Sequence, residues 1–245
     1  GIFSRGITEI CGESASGKTQ FCLQLSLTVQ LPEKHGGLNG GVAYICTEDA
    51  FPSKRLHQIL QHFSRKTENI LESKIKFSDQ IFIEHVSDVE GLVYCTEKKL
   101  PLLLAQNAIK LVIIDSIAAL FRCEYNSSEM IKRSKHMNSL AAALHRLGHQ
   151  HNIPIVCVNQ VTGSVGSTDK KHMPSLGLSW SNQITSRIMF SRTEQQIMLP
   201  RQYINNVVTG GFETSVRKME VLFAPHLPSL ELMFVIDQEG IKALV

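Results

Sequence analysis

The chain has 245 residues, 43% of them hydrophobic, with 25 lysines and arginines set against 22 aspartates and glutamates for a formal charge of +3. A chain of this length can bury one large core, so a single domain over 1–245 is expected. The small net charge carries no diagnosis of a polyanionic partner, and no apolar run reaches the roughly 18 residues needed to cross a bilayer.

The cysteines, at 11, 22, 46, 95, 123 and 157, form no C-x-x-C pair and stand in no short loop-rich framework. That usage points to reduced thiols in an intracellular protein. No basic-then-apolar leader opens the chain, and its abrupt start is what a trimmed chain would show.

The first element is the β-branched run GITEIC (Gly6 to Cys11), followed by CGESASGKTQ. Glycines open unusual backbone angles and let successive N–H groups converge on an anion. The spacing G-x-x-x-x-G-K-T is that of a phosphate-binding loop, made here by Gly12, Glu13, Ser14, Ala15, Ser16, Gly17, Lys18 and Thr19, with Gln20 beside them. The motif requires a strand before it and a helix after it, and KTQFCLQLSLTVQL (Lys18 to Leu31) has the buried-helix pattern. Lys18 would neutralise the β and γ phosphates of a nucleoside triphosphate, and the Thr19 hydroxyl would ligate magnesium.

Short, almost wholly apolar strands then recur at 41–49, 80–86, 110–116 and 153–160, separated by helical stretches near 53–66, 88–106 and 127–150. This alternation predicts an α/β fold with a mostly parallel sheet covered on both faces, whose ligands gather at the carboxyl ends of the strands. LVIID delivers Asp115 to such an end as the second magnesium-side group. Glu48 closes YICTE at the same edge as the group that would orient or deprotonate water, with Asp49 its nearest rival. Gln160 ends IVCVNQ, where an amide could sense the γ-phosphate and relay its loss.

Beyond Gln160, VTGSVGSTDKKHMPSLG is glycine- and serine-rich and predicts a long mobile loop. Strand-like runs near 183–191, 214–224 and 230–237 predict antiparallel strands completing the sheet, with an inserted hairpin or excursion at 193–212. Basic residues cluster in two loops at strand ends: Arg122, Lys132, Arg133 and Lys135 in one, Lys170 and Lys171 in the other. Both could face one strand of nucleic acid. His145, His149 and His151 lack a carboxylate or cysteine partner nearby and are read as ordinary surface histidines.

The order of these elements resembles the RecA-type recombinase core from Gly6 to the C-terminus. The strings GITEICGESASGKTQ, YICTEDAFPSKRL, LVIIDSIAALFR and VNQV are similar to the phosphate loop, catalytic-glutamate segment, magnesium-aspartate strand and γ-phosphate sensor of the eukaryotic recombinase and its paralogues. The resemblance implies a RecA-like P-loop ATPase core with a C-terminal antiparallel extension, using ATP and Mg2+ in homologous-recombination repair in the nucleus and also the cytoplasm. It implies that Glu48 activates water, Arg55 stacks on adenine, Gln160 senses the γ-phosphate, and the loops after Arg122 and Val161 face single-stranded or branched DNA. Pro225, His226, Leu227 and Pro228 would approach nucleotide held by a neighbouring subunit. The partner is then another recombinase paralogue, with ATP at the interface, and Gln80 to Ala105 is the surface on which a neighbour's linker docks as an added strand.

The resemblance is not complete. The helical N-terminal domain and linker of the family are absent from this chain, Asn182 stands where relatives often carry an ATP-sensing histidine, and 193–212 is inserted. Two readings follow: an ATPase assisting assembly of recombinase on single-stranded DNA, or a scaffold in which ATP only cements a heteromeric complex. A P-loop small-molecule kinase fits less well, because no arginine-rich lid segment is present.

Overall fold

A computed structural model describes residues 2, 4–68, 71, 75–106, 108–162, 173–200 and 211–244. The first half lays down β1 (Ile7–Gly12), α1 (Lys18–Thr28), β2 (Gly41–Cys46), α2 (Ser53–Thr67), β3 (Ile81–His85), α3 (Val89–Tyr94), α4 (Leu100–Ala105) and β4 (Ile109–Asp115). There follow α5 (Ile117–Cys123), α6 (Met130–His151), β5 (Ile155–Thr162), β6 (Met173–Pro174), α7 (Gly177–Ser181), β7 (Ser186–Pro200), β8 (Gly211–Phe223), β9 (Glu231–Asp237) and β10 (Gly240–Ala243).

One sheet runs β10-β9-β8-β7-β1-β5-β4-β2-β3, with β6 attached to β5. The strands from β7 to β3 are parallel to their neighbours; β8, β9 and β10 continue antiparallel. In β4 the apolar residues divide by parity. Leu111 and Ile113 pack with Leu23, Leu27, Leu56 and Ile59 of α1 and α2, while Val112 and Ile114 pack with Leu92, Leu104, Leu140 and Leu144 on the other face. A strand buried on both sides reads as an unbroken apolar run for this reason. No helix among the described residues is long and apolar enough to cross a membrane.

Three differences from the sequence expectations have local causes. The helical stretch expected at 88–106 is α3 and α4 joined by a π turn over Cys95–Lys99. Pro101 has no N–H to continue the ordinary ladder, so the chain widens by one residue there. The strand expected to reach Asp49 stops at Cys46, leaving Glu48 and Asp49 in the turn that follows. The run near 183–191 was expected to be antiparallel, but it belongs to β7, which pairs parallel with β1 (Ile10 opposite Ile188) and antiparallel with β8. The excursion at 193–212 is the far part of that hairpin: Pro200 faces Gly211, and 201–210 lie outside the described residues.

Candidate nucleotide-binding site

β1 ends at Gly12 and α1 begins at Lys18, so the loop between them occupies the carboxyl edge of the sheet. Gly12 is compressed against β7, where a Cβ would stand 2.1 Å from the Phe190 carbonyl oxygen. Gly17 enters α1 at a φ of +107°, a region that disfavours side chains. The Ser16 hydroxyl is buried without a hydrogen-bond partner among the described residues. Lys18 folds back on its own loop, its Nζ donating to the carbonyls of Gly12 at 2.8 Å and Glu13 at 2.7 Å. Burial pulls the Lys18 pKa down, while the Asp115 charge works against that shift. A half-buried ammonium satisfied only by neutral carbonyls, in a loop opening on a cavity, fits an anionic ligand.

Thr19 Oγ1 donates to Asp115 Oδ2 at 2.9 Å, and Tyr44 Oη donates to the same oxygen at 2.8 Å. Burial raises the Asp115 pKa; the Tyr44 and Thr19 hydrogen bonds and the Lys18 charge hold it down. A hydroxyl and a half-buried carboxylate at the mouth of a phosphate loop are hard oxygen donors of the kind Mg2+ takes. Glu48 is exposed, with Gln160 Nε2 at 3.0 and 3.2 Å from its two oxygens and Ser116 Oγ at 3.4 Å.

Two cavities flank the loop and share Ala15, Lys18 and Thr19. One, of about 550 Å³, lies between Glu13–Ala15, Tyr44, Glu48, Asp115 and Gln160. The other, of about 370 Å³, is walled by Gln20, Arg55, Arg217 and Ile236. Arg55 is held there by Gln20 Oε1 at 2.7 Å and by the Asp237 carbonyl, and burial lowers its pKa. Glu13 is tied to β7, accepting from the Arg192 backbone at 2.8 Å and its guanidinium at 3.2 Å.

The basic residues expected in one loop lie on two helices instead, Arg122 on α5 and Lys132, Arg133 and Lys135 on α6, and they are dispersed in role. Arg122 Nη1 donates to Gln160 Oε1 at 2.6 Å, and Arg133 Nε donates to the Phe121 carbonyl at 2.8 Å, closing the end of α5. Lys132 stands 4.0 Å from Glu129 and Lys135 is exposed, while Lys170 and Lys171 lie outside the described residues. The turn Pro225, His226, Leu227, Pro228 joins β8 to β9 just beyond Phe223, which faces Arg187 at the start of β7. It therefore stands at the sheet edge opposite the phosphate loop. His145 is engaged, its Nε2 2.8 Å from the Gln183 carbonyl.

Sequence reasoning missed Tyr44, Arg192 and Arg217. Tyr44 had a signal, being a polar-tipped aromatic inside an otherwise apolar strand, since a buried tyrosine hydroxyl needs a partner. The two arginines had none, because only the β7–β8 hairpin brings them beside the loop.

The Rad51 family model matches residues 1–244. The chain is 42% identical to the DNA repair protein XRCC3 of Mus musculus over all of this chain and 71% of that protein. It is 34% identical to the XRCC3 homolog of Arabidopsis thaliana, over all of this chain and 88% of that protein. The DNA repair protein rhp57 of Schizosaccharomyces pombe is 31% identical over 96% of this chain and 73% of its own length. With the parallel core, the antiparallel extension and a family match running almost end to end, the chain belongs to the Rad51 family and has its RecA-like fold.

Proposed function

We propose that this chain is a recombinase-paralogue subunit of homologous-recombination repair that binds ATP–Mg2+ at an interface with another paralogue and helps recombinase assemble on single-stranded DNA in the nucleus. The observation that carries the reading is the meeting of Lys18, Thr19 and Asp115 at one loop, with Glu48 and Gln160 across the larger cavity. Relatives named as DNA repair proteins supply the process.

Bound ATP–Mg2+ supplies the phosphoanhydride and the neutralising metal. Lys18 would exchange its two carbonyls for phosphate oxygens, Thr19 and Asp115 would hold the metal, Arg55 would flank the base, and Glu48 would accept the proton of an attacking water. Gln160 would read the γ-phosphate from β5, two residues before that strand ends at Thr162. The turn at Pro225–Pro228 faces away from this chain's own loop, which supports a role toward a neighbour's nucleotide. β3 is one edge of the sheet and pairs only with β2 among the described residues, with Phe82 and Ile83 about two-fifths exposed beside an apolar cavity of about 300 Å³ that includes Leu100 and Leu103. An unpaired edge with a pocket suits a neighbour's linker adding a strand.

A second reading, the scaffold without turnover, draws on the Gln160 amide, which occupies both oxygens of Glu48. Turnover requires that amide to move; cementing a complex does not. Titration of a fluorescent ATP analogue with and without Mg2+ tests the shared core of both readings: saturable, Mg2+-dependent binding is expected, and its absence in the presence of a paralogue partner would overturn them.

A further inference from the structure

A carboxylate with no part in nucleotide chemistry sits in the middle of the sheet. Glu9 is fully buried on β1, the strand that feeds the phosphate loop. Its Oε1 accepts from Asn159 Nδ2 at 2.7 Å and from the indole Nε1 of Trp180 at 2.8 Å. Its Oε2 takes the Arg187 guanidinium, whose Nη2 reaches Ser181 Oγ at 2.9 Å. Arg187 is itself covered by the Phe223 ring, 5.3 Å away.

This hub is fully partnered, which is the condition for burying a charge. Stability alone does not account for it, because apolar residues of similar volume often serve a core equally well or better; holding parts in register is the better-attested use of a buried ion pair. The parts held here are specific. Asn159 immediately precedes Gln160 and bridges with both halves of its amide, Nδ2 to Glu9 and Oδ1 accepting from Ser175 Oγ at 2.9 Å. The Ser175 backbone N–H donates to the Gln160 carbonyl at 3.0 Å. Trp180 and Ser181 lie on α7, which follows directly. One carboxylate thus joins the strand entering the phosphate loop, the strand end carrying Gln160, and the stretch 175–181 by which the chain returns from the basic segment after Val161.

We infer that Glu9 is a positioning residue which, through Asn159 and Trp180, couples the strand end at Gln160 to the segment Ser175–Ser181, so that nucleotide engaged at Gln160 shifts that segment. The inference rests on the nucleotide reading above. Asn159 suits the task because it donates on one side and accepts on the other: an aspartate would repel Glu9, and an alanine would release both ends.

The chain has a single tryptophan, and it is Trp180, so its emission reads the hub directly. The test titrates a slowly hydrolysed fluorescent ATP analogue with Mg2+, following analogue anisotropy and Trp180 emission together. Wild type is expected to show an emission shift that saturates with the anisotropy. Asn159→Ala is expected to bind the analogue and lose the shift. Ser175→Ala, which removes the hydroxyl that Asn159 Oδ1 accepts and leaves Glu9 and the nucleotide site in place, is expected to bind the analogue with a diminished shift, and it carries the test if Asn159→Ala does not fold. Wild-type binding with unchanged emission, or an undiminished shift in a folded variant, overturns the coupling while leaving the nucleotide site standing. No anisotropy change in wild type, alone or with a paralogue partner present, sinks the nucleotide reading and the coupling with it. A purely structural hub would lower the melting temperature of Asn159→Ala and give no nucleotide-dependent emission to lose.

Discussion

Thr19 Oγ1 lies 2.9 Å from Asp115 Oδ2, a hydrogen bond between residues 96 positions apart that joins the first turn of α1 to the carboxyl end of β4. It fixes the relative position of the two metal-side groups before any ligand arrives. Preorganisation of this kind reduces the ordering cost of binding.

Asp115→Asn separates the two roles of that carboxylate. Burial raises the Asp115 pKa above the ordinary value, so the folded chain holds this proton more tightly than the unfolded chain. Ionising Asp115 therefore costs stability, a cost absent at low pH and reached as pH rises through the folded pKa. The amide removes that cost while its oxygen still accepts from Tyr44 and Thr19. Thermal melts without nucleotide at neutral pH are expected to show a variant at least as stable as wild type. Wild type at a hundredfold excess over Kd should gain about 2.7 kcal/mol from Mg2+–nucleotide, roughly 5–10 °C in a chain this size, and the variant should gain little of it.

Lys18→Ala removes one charge-assisted contact to phosphate and, without ligand, the tie to Gly12 and Glu13. Affinity for ATP should fall by about 1.5–3 kcal/mol, roughly ten- to a hundredfold. A titration showing wild-type affinity would contradict the placement of Lys18 on phosphate.

Glu48→Gln keeps the shape of the mouth and a partner for Gln160 but cannot accept a proton from water. Nucleotide affinity should hold, while phosphate release falls by about 10²–10⁴-fold if Glu48 is the general base. Repair in cells carrying this variant would favour the scaffold reading, since binding alone would then suffice.

Lys135→Ala tests DNA contact with the least risk to the fold, because Arg122 and Arg133 are committed to Gln160 and to the Phe121 carbonyl. If Lys135 meets a backbone phosphate, the log–log salt slope of single-strand binding should lose about 0.7, with no change in melting temperature. Arg133→Ala should instead lower the melting temperature, since it uncaps α5.

Ile83→Glu places a charge on the exposed edge of β3, beside the apolar cavity. The variant should stay folded and bind nucleotide, yet fail to co-purify with a paralogue partner that wild type retains. Undiminished association would place the partner elsewhere.

Much of the site was legible in the residue string because the relevant signals are local. The glycine spacing from Gly12 to Thr19, the apolar run ending at Asp115 and the apolar run leading to Gln160 each describe a few consecutive residues, although the strand expected to end at Gln160 continues to Thr162. Even the π turn before α4 has a visible cause in Pro101. What was not legible depends on which strand lies beside which. The basic residues illustrate this: counted along the chain, Arg122 and Arg133 belong to one positive cluster, but in space one grips a glutamine amide and the other a helix end.

The sequence by itself determined the parallel core, the loop at the end of the first strand and the residue types arrayed along the ligand edge, because strand burial and backbone conformation are set by near neighbours. Only the tertiary structure decided that β7 lies against β1, that Tyr44 and Thr19 share one oxygen of Asp115, and that Glu9 is bound by Asn159, Trp180 and Arg187. Those contacts join residues 71 to 178 positions apart, and the energy of a buried hydrogen bond depends on its geometry in space, which chain order does not record.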